Sequence, residues 1–435
     1  MRRILLIVSL VAAVSSCGTA RGPIVGRQFD KWTKGYLEIH SVNTGRGESF
    51  FYILPDGTTL LIDASGANPL DDELENHGNA LTPAKPSADI SPGRVVANYI
   101  RHFLPSEAGG ALDYAMISHY HGDHMGVIVE GLPKHPEGGF ALAGITEVGS
   151  IIPIRCCIDR GDVMDPPSKS SLAPGMKRRY GNYLSFLEWT SLERGTVRMR
   201  ATPGALDEIA LRHTPNSDFH IRTIAAGGSV WNGSVDSPAS VSLLPPKDSL
   251  LAFGDGPDAV SENLMSIALH LSYGAFDWFT GGDCQFRGRS THEYNDIELP
   301  ISRVMGPVEG MKADHHATNG TNCSELLSVL QPDFVIAGTW KDIHPNPATV
   351  KRFQKSNPSI NFITTNLTDG GRDILLKEGV DPSTFLATQG HVVVRVAPGG
   401  RSYMIYILDD SDEKYRVKSI FSSFASDLGR RGGKV

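Results

Sequence analysis

This sequence predicts an α/β fold of layered sheet and helix, and three observations predict it. Short apolar runs of strand length recur between turn residues, other segments repeat apolar residues at helical spacing, and metal-binding residue types gather where a strand-like run stops. The size fits: 435 residues with 40% hydrophobic content can bury a large core, as one elaborated domain or two smaller ones. The net charge of −7, with no lysine-arginine stripe interleaved with aromatics, disfavours nucleic acid as a partner.

Met1, Arg2 and Arg3 lead into an apolar run from Ile4 to Val14, the basic start and short apolar stretch of a secretory signal, too short to span as a mature helix. Val14-Ser15-Ser16-Cys17 resembles the bacterial lipobox, which implies a signal peptide over 1–16 and lipid on the sulfur of Cys17, the first mature residue. Several acyl chains would hold the protein to the membrane, at about 0.8 kcal/mol per buried CH₂. The expectation is an exported, lipid-anchored protein of the bacterial cell envelope; the alternative is an ordinary cleaved signal with a chance cysteine.

Residues 18–34 read as a tether. Paired strands over 35–66 are broken by Gly45, Gly47 and the turn Pro55-Asp56-Gly57, and 67–92 is a polar, proline-bearing loop. Gly93 to Leu104 carries apolar residues at helical spacing and should pack on a sheet, and Leu112 to Ile117 is a short buried strand after Gly109-Gly110. Residues 131–258 look like an insertion rich in proline and glycine, with a helix over Tyr183–Trp189, expected to wall a cleft. Pro347 opens a helix through Phe353. Strands follow over 361–365, 390–396 and 403–407, the last two joined by the turn at Pro398-Gly399-Gly400, and 408–435 is a polar, glycine-rich tail. Outside the cytoplasm Cys156, Cys157, Cys284 and Cys323 could pair in three ways, and a Cys284–Cys323 disulfide is weighed against buried free thiols.

The run Ser118-His119-Tyr120-His121-Gly122-Asp123-His124 directly follows the strand ending at Ile117. Positions two apart on extended backbone share a face, so His119 and His121 can hold one ion together. Asp123 and His124 fall past the turn and can face a second. Imidazole and carboxylate without thiolate suit Zn, with Mn or Fe as alternatives.

This HxHxDH arrangement at a strand end resembles the signature of the metallo-β-lactamase superfamily. The resemblance implies a four-layer αββα sandwich over 35–407 with a binuclear centre between two sheets. Further pieces occur in the implied order. They are Asp63 ending the run from Thr58, Asp283 ending Phe276-Asp277-Trp278-Phe279-Thr280-Gly281-Gly282, and His315-His316 after Lys312. Asn43 to Glu48, Pro55-Asp56-Gly57, Ser261 to Ser266 and Ile343-His344-Pro345 resemble the hydrolase domain of the competence protein ComEC and its stand-alone relatives. Glu48 stands where those relatives carry aspartate.

By this resemblance the first ion takes His119, His121 and a third ligand. Candidates for the third are His135, His213, His220 and Asn263, the last also a neighbour of the ligands. The second ion takes Asp123, His124 and His316, with Asp283 bridging and Asp63 orienting a histidine from behind. Which of the His pair binds metal is open on spacing alone; His316 is taken as ligand, and His315 as a substrate contact or acid, with His344 a second candidate for that role. The implied activity is hydrolysis by a hydroxide on two divalent ions, with a small or envelope phosphoester as substrate. Another ester such as a lactone, or an envelope binding protein with a degenerate site, are the alternatives. The oligomeric state is open.

Overall fold

The computed structural model describes residues 23–64, 82–236, 239–254, 256, 258–286 and 292–426. The signal segment, Cys17, the first part of the tether and residues 67–81 of the polar loop lie outside the described residues.

The chain opens with β1 (Leu37–Ser41), β2 (Phe50–Ile53), β3 (Thr59–Ile62), β4 (Leu112–Met116), β5 (Ile154–Asp159) and β6 (Val197–Arg200). Next come β7 (Phe219–Ala226), β8 (Ser229–Trp231), β9 (Ser240–Ser242), β10 (Ala268–Tyr273), β11 (Phe276–Thr280) and β12 (Gly310–Lys312). Then follow β13 (Phe334–Ala337), β14 (Asn361–Thr364), β15 (His391–Val396), β16 (Ser402–Leu408) and β17 (Val417–Ala425). They build two mixed sheets, in the orders β17-β16-β15-β1-β2-β3-β4-β5-β6 and β14-β13-β12-β11-β10-β7-β8-β9. In the first sheet β3 to β6 run parallel, and in the second β11 to β14 do.

The period-two alternation of strand side chains explains the layering. Phe50, Tyr52, Leu60, Ile62, Tyr114 and Met116 face the second sheet and meet Ile221, Leu269, Leu271, Trp278, Phe334 and Ile336 in an inter-sheet core. The alternate residues Phe51, Ile53, Leu61 and Ala115 turn outward to helices. These are α1 (Pro92–Phe103), α2 (Gly122–Met125), α3 (Ile145–Ile151) and α4 (Pro174–Arg194). On the other side Phe279, Met311, Val335 and Phe362 face a second helical layer. It comprises α5 (Lys247–Phe253), α6 (Glu298–Ser302), α7 (Ser324–Leu330), α8 (Pro347–Ser356) and α9 (Asp369–Lys377). The result is a four-layer αββα sandwich. Strands covered on both faces read as continuous apolar runs, which is why β2, β3 and β4 are buried throughout.

Local sequence explains the helices. In α1 the Ser91 hydroxyl accepts from the Arg94 N–H, Pro92 fits the first turn, and Val95, Val96, Tyr99, Ile100 and Phe103 bury one stripe. α4 begins with Pro174 and stops at Gly195 in the left-handed region (φ 68°), so it is far longer than the helix expected over 183–189.

Three expectations are revised. Residues 131–258 are not an appendage: they supply β5 to β9 and the helices α3 and α4, so most of this stretch is scaffold. Of its strands, β8 and β9 escape a sequence reading because they have three residues each and β9 is wholly exposed. The polar tail returns as β17 on the edge of the first sheet, and the tether is docked there. Gly26 N–H donates to the Val417 carbonyl, Val417 N–H donates to that of Arg27, and Phe29 is buried. Cys284 and Cys323 are buried free thiols, like Cys156 and Cys157, so the disulfide is not formed. Among the described residues no helix is long and apolar enough to cross a membrane.

Candidate metal centre

The carboxyl ends of β3, β4, β11 and β12 meet at one edge of the sandwich, the end of parallel strands where α/β sheets commonly place ligands. Ser118 joins the sheets there. Its carbonyl accepts from the Ile267 N–H (2.9 Å), its own N–H donates to Asp63 Oδ1 (2.7 Å), and its hydroxyl donates to Asp63 Oδ2 (2.7 Å). The backbone then turns into α2, whose first turn carries Asp123 and His124. Asp63 Oδ2 also takes the His124 Nδ1–H at 2.7 Å, which fixes that ring and aims Nε2 into the site.

From the second sheet, Gly281-Gly282 turns the chain after β11 so that Asp283 points back. Gly282 has φ 56°, and a Cβ there would sit 3.0 Å from Ser118, so the close approach of the two sheets calls for glycine. Asp283 N–H is held by Ser266 Oγ (3.0 Å). After β12 the residues His315, His316 and Ala317 are all left-handed, at φ 47°, 56° and 58°. This is a costly conformation for residues with side chains. It sends the two imidazoles in different directions. His316 donates its Nδ1–H to the Gly338 carbonyl (2.8 Å) and turns Nε2 inward.

The inward atoms converge. His119 Nε2 lies 3.1 Å from His121 Nδ1 and 3.6 Å from Asp283 Oδ2. His124 Nε2 is 3.1 Å from Asp283 Oδ1 and 3.9 Å from Asp123 Oδ2, and His316 Nε2 is 3.1 Å from that same Asp123 oxygen. An ion held tetrahedrally at about 2.0–2.1 Å has ligand atoms roughly 3.3–3.4 Å apart, so these spacings fit ion-sized gaps. Two groups able to hold an ion result, His119-His121-Asp283 and Asp123-His124-His316. Buried His124 Nε2 and both Asp283 oxygens lack any hydrogen-bond partner, an arrangement costly unless a cation takes their lone pairs.

The electrostatics favour cations. Burial holds His119 well below its usual pKa, and lowers His121, so both present neutral lone pairs at pH 7. Burial opposes charge at His124 and His316 too, but Asp283 and neighbouring carboxylates outweigh it and raise both. Asp283 is held well below the carboxylate range, because His124, His315, His316 and His119 overcome its desolvation.

A third group, Glu48, Asp63 and His124, already has a cation beside it. Lys312 Nζ lies 2.9 Å from Glu48 Oε2 and donates to the carbonyls of Gly282 (2.6 Å) and Ala313 (3.0 Å). Burial alone would depress the Lys312 ammonium; Glu48, Asp283 and Asp314 instead raise it, so it stays charged.

The structure thus brings together His119, His121, Asp123, His124, Asp283 and His316, with Asp63 behind His124. His315 sits at the rim, its side chain 29% exposed and Nε2 3.5 Å from Asp283 Oδ2. Asn263 Nδ2 lies 3.3 Å from His315 Nδ1. His344 is buried and stacks on the His316 ring (5.0 Å between centroids). His135 packs between Phe140 and Trp189, His213 lies by Asp56 and Asp113, and His220 is on β7 near His270; none joins the ion-holding groups. Glu262 lies in the Ser261 to Ser266 run, but its pairing with Arg160 escapes sequence reading because 102 positions separate them.

Asp63→Asn should lower the affinity of the Asp123-His124-His316 group for an ion by about 10- to 100-fold, since it weakens the bond that orients His124. Zinc titration calorimetry checks it; an affinity equal to the parent's would exclude the orienting role.

No protein-family model matches the chain, and no curated protein matches it in sequence. Among solved structures, the metallo-beta-lactamase fold protein YhfI from Bacillus subtilis is similar over 83% of this chain and 100% of its own, at 12% identity and a TM-score of 0.36. Zn(2+)-bound PqqB from Methylobacterium extorquens is similar over 76% of this chain and 98% of its own, at 10% identity and 0.33. The short form of human tRNase Z covers 76% and 93%, at 9% identity and 0.31.

Proposed function

We propose that this chain is a metal-dependent hydrolase of phosphoesters that uses two divalent ions, zinc foremost, held by His119, His121, Asp123, His124, Asp283 and His316. One observation carries the reading: six ligating side chains from both sheets converge at ion-sized spacings, with Asp283 reaching both groups. Bound divalent ions supply Lewis acidity and an ionised water at neutral pH.

The chain's own residues do the rest. Asp63 and the Gly338 carbonyl hold His124 and His316 in the tautomer that offers Nε2. Asp123, 3.1 Å from His316, is committed to the centre and is not a free base. Burial pushes His315 down to about 4, so its ring is neutral at pH 7. With Asn263 donating to Nδ1, the ring proton sits on Nε2, facing Asp283 and the opening. It is placed to donate a hydrogen bond to a phosphoryl oxygen. His344, enclosed against His316 and Trp340, supports the ligand ring rather than the substrate.

The basic and apolar start and Cys17 support action at the cell envelope, on a small or envelope phosphoester, with the membrane reached through a lipid anchor. The motifs that resemble those of ComEC relatives support the same chemistry, and the acidic balance disfavours strand binding.

The test is metal content by mass spectrometry on the mature soluble form, with hydrolysis of bis-p-nitrophenyl phosphate and of a lactone. Two ions per chain and phosphodiester cleavage support the proposal. Lactone cleavage alone would move the substrate to another ester class, and no bound metal after reconstitution would overturn it.

A further inference from the structure

Tyr120 lies between His119 and His121, and other segments hold it at four points. Its N–H donates to Glu262 Oε1 (3.1 Å), and its carbonyl accepts from Arg179 Nη1 (2.9 Å). Its hydroxyl donates to the Gly161 carbonyl (2.5 Å), and its ring lies 4.8 Å from the Arg160 guanidinium. Arg160 and Glu262 are themselves a fully buried pair, joined at 2.8 Å and 2.9 Å. Ser168 Oγ donates to Glu262 Oε2 (2.6 Å), and the guanidinium also donates to the carbonyls of Asp162, Val163 and Pro166. Taking two charges out of water costs several kcal/mol per ion, and such a pair replaced by apolar groups is often no less stable. Stability alone therefore gives little reason for it here.

We propose that the Arg160–Glu262 pair is a positioning device for the first metal site. By gripping Tyr120 it fixes the backbone between His119 and His121, and with it the angle at which their rings converge. The first group has two imidazoles and the shared Asp283, and among the described residues no third histidine joins it. A site with so few ligands depends on their orientation before the ion arrives. Arg160 follows β5, Ser168 precedes α4 and Arg179 lies within it, so the stretch between the first strands and the second sheet serves the centre as its brace.

The inference rests on the metal-hydrolase reading, and the test separates the two. Metal-free full chain, without its signal segment, is titrated with Zn(II) by calorimetry and with Co(II) by visible absorption, whose bands report coordination geometry. Glu262→Gln should weaken one of two ions by about 10- to 100-fold and change the cobalt spectrum, while the other ion binds within about twofold of the parent. Glu262→Gln leaves Arg160 buried without its counter-charge and could fail to fold. Arg179→Met, at a half-buried position, is therefore the second variant: it removes the bond to the Tyr120 carbonyl, together with a positive charge near His121, leaves the Arg160–Glu262 pair in place, and should change the cobalt spectrum in the same sense. Glu38→Gln breaks another buried pair, with Arg395, and should lower the melting temperature while both ions bind as in the parent. Unaltered affinities and spectra in Arg179→Met and in any folded Glu262→Gln would overturn the inference. A parent that binds no metal would overturn the metal-hydrolase reading, and this inference with it.

Discussion

Asp283→Ala is expected to abolish tight binding of both proposed ions and to lower phosphodiester cleavage by at least about 10³-fold, because among the described residues Asp283 is the carboxylate that reaches both groups of ligands. Its two carboxylate oxygens are buried and without hydrogen-bond partners, so little besides a cation satisfies them. The loss should not come from unfolding. The Asp283 backbone stays tied to Ser266, and the substitution removes a buried charge rather than stranding one. Metal analysis and steady-state kinetics on the same preparation, with far-UV circular dichroism as the check on folding, decide it. A variant that keeps two ions, or keeps most of its activity, would show that the bridge lies elsewhere.

The second large effect is a division between neighbours. His316→Ala should lose one metal equivalent, since its inward Nε2 is 3.1 Å from Asp123. His315→Ala should keep both ions and lower kcat by about 10²- to 10³-fold, the range for losing one hydrogen-bond donor to charge that develops in the transition state. The left-handed run at 315–317 makes the contrast sharp, since adjacent residues in it point one ring to the metals and one to the opening. If His315→Ala sheds an ion while His316→Ala does not, the two roles are exchanged.

Much of this centre is legible in the sequence because the chemistry is concentrated. His119, His121, Asp123 and His124 occupy six consecutive positions, and strand periodicity alone puts the first two on one face. Asp63, Asp283 and His316 are legible only through the resemblance, since nothing local says which strand ends meet. The strands before Asp63 and Asp283 could be read from their apolar and aromatic runs, whereas β12, three residues long with Lys312 in it, could not. β8, β9 and β17 could not, being short, exposed or in a polar tail, where pairing to a neighbouring strand rather than composition makes the strand. The tether shows the same limit: one buried aromatic, Phe29, and a few backbone bonds dock it, and neither leaves a pattern. Neither a position's distance from the ligands along the chain nor its charge hints that Arg160 and Glu262 meet beneath Tyr120.

The ammonium of Lys312 sets the charge balance of the whole cavity. Among the described residues four carboxylates face it, those of Glu48, Asp63, Asp123 and Asp283, and this ammonium stands among them. With all four ionised, three negative charges remain, so two divalent ions carrying one hydroxide would bring the cavity to neutrality. With a neutral residue at 312 the same occupants would leave one negative charge. An anionic phosphodiester would then meet repulsion that the ammonium removes.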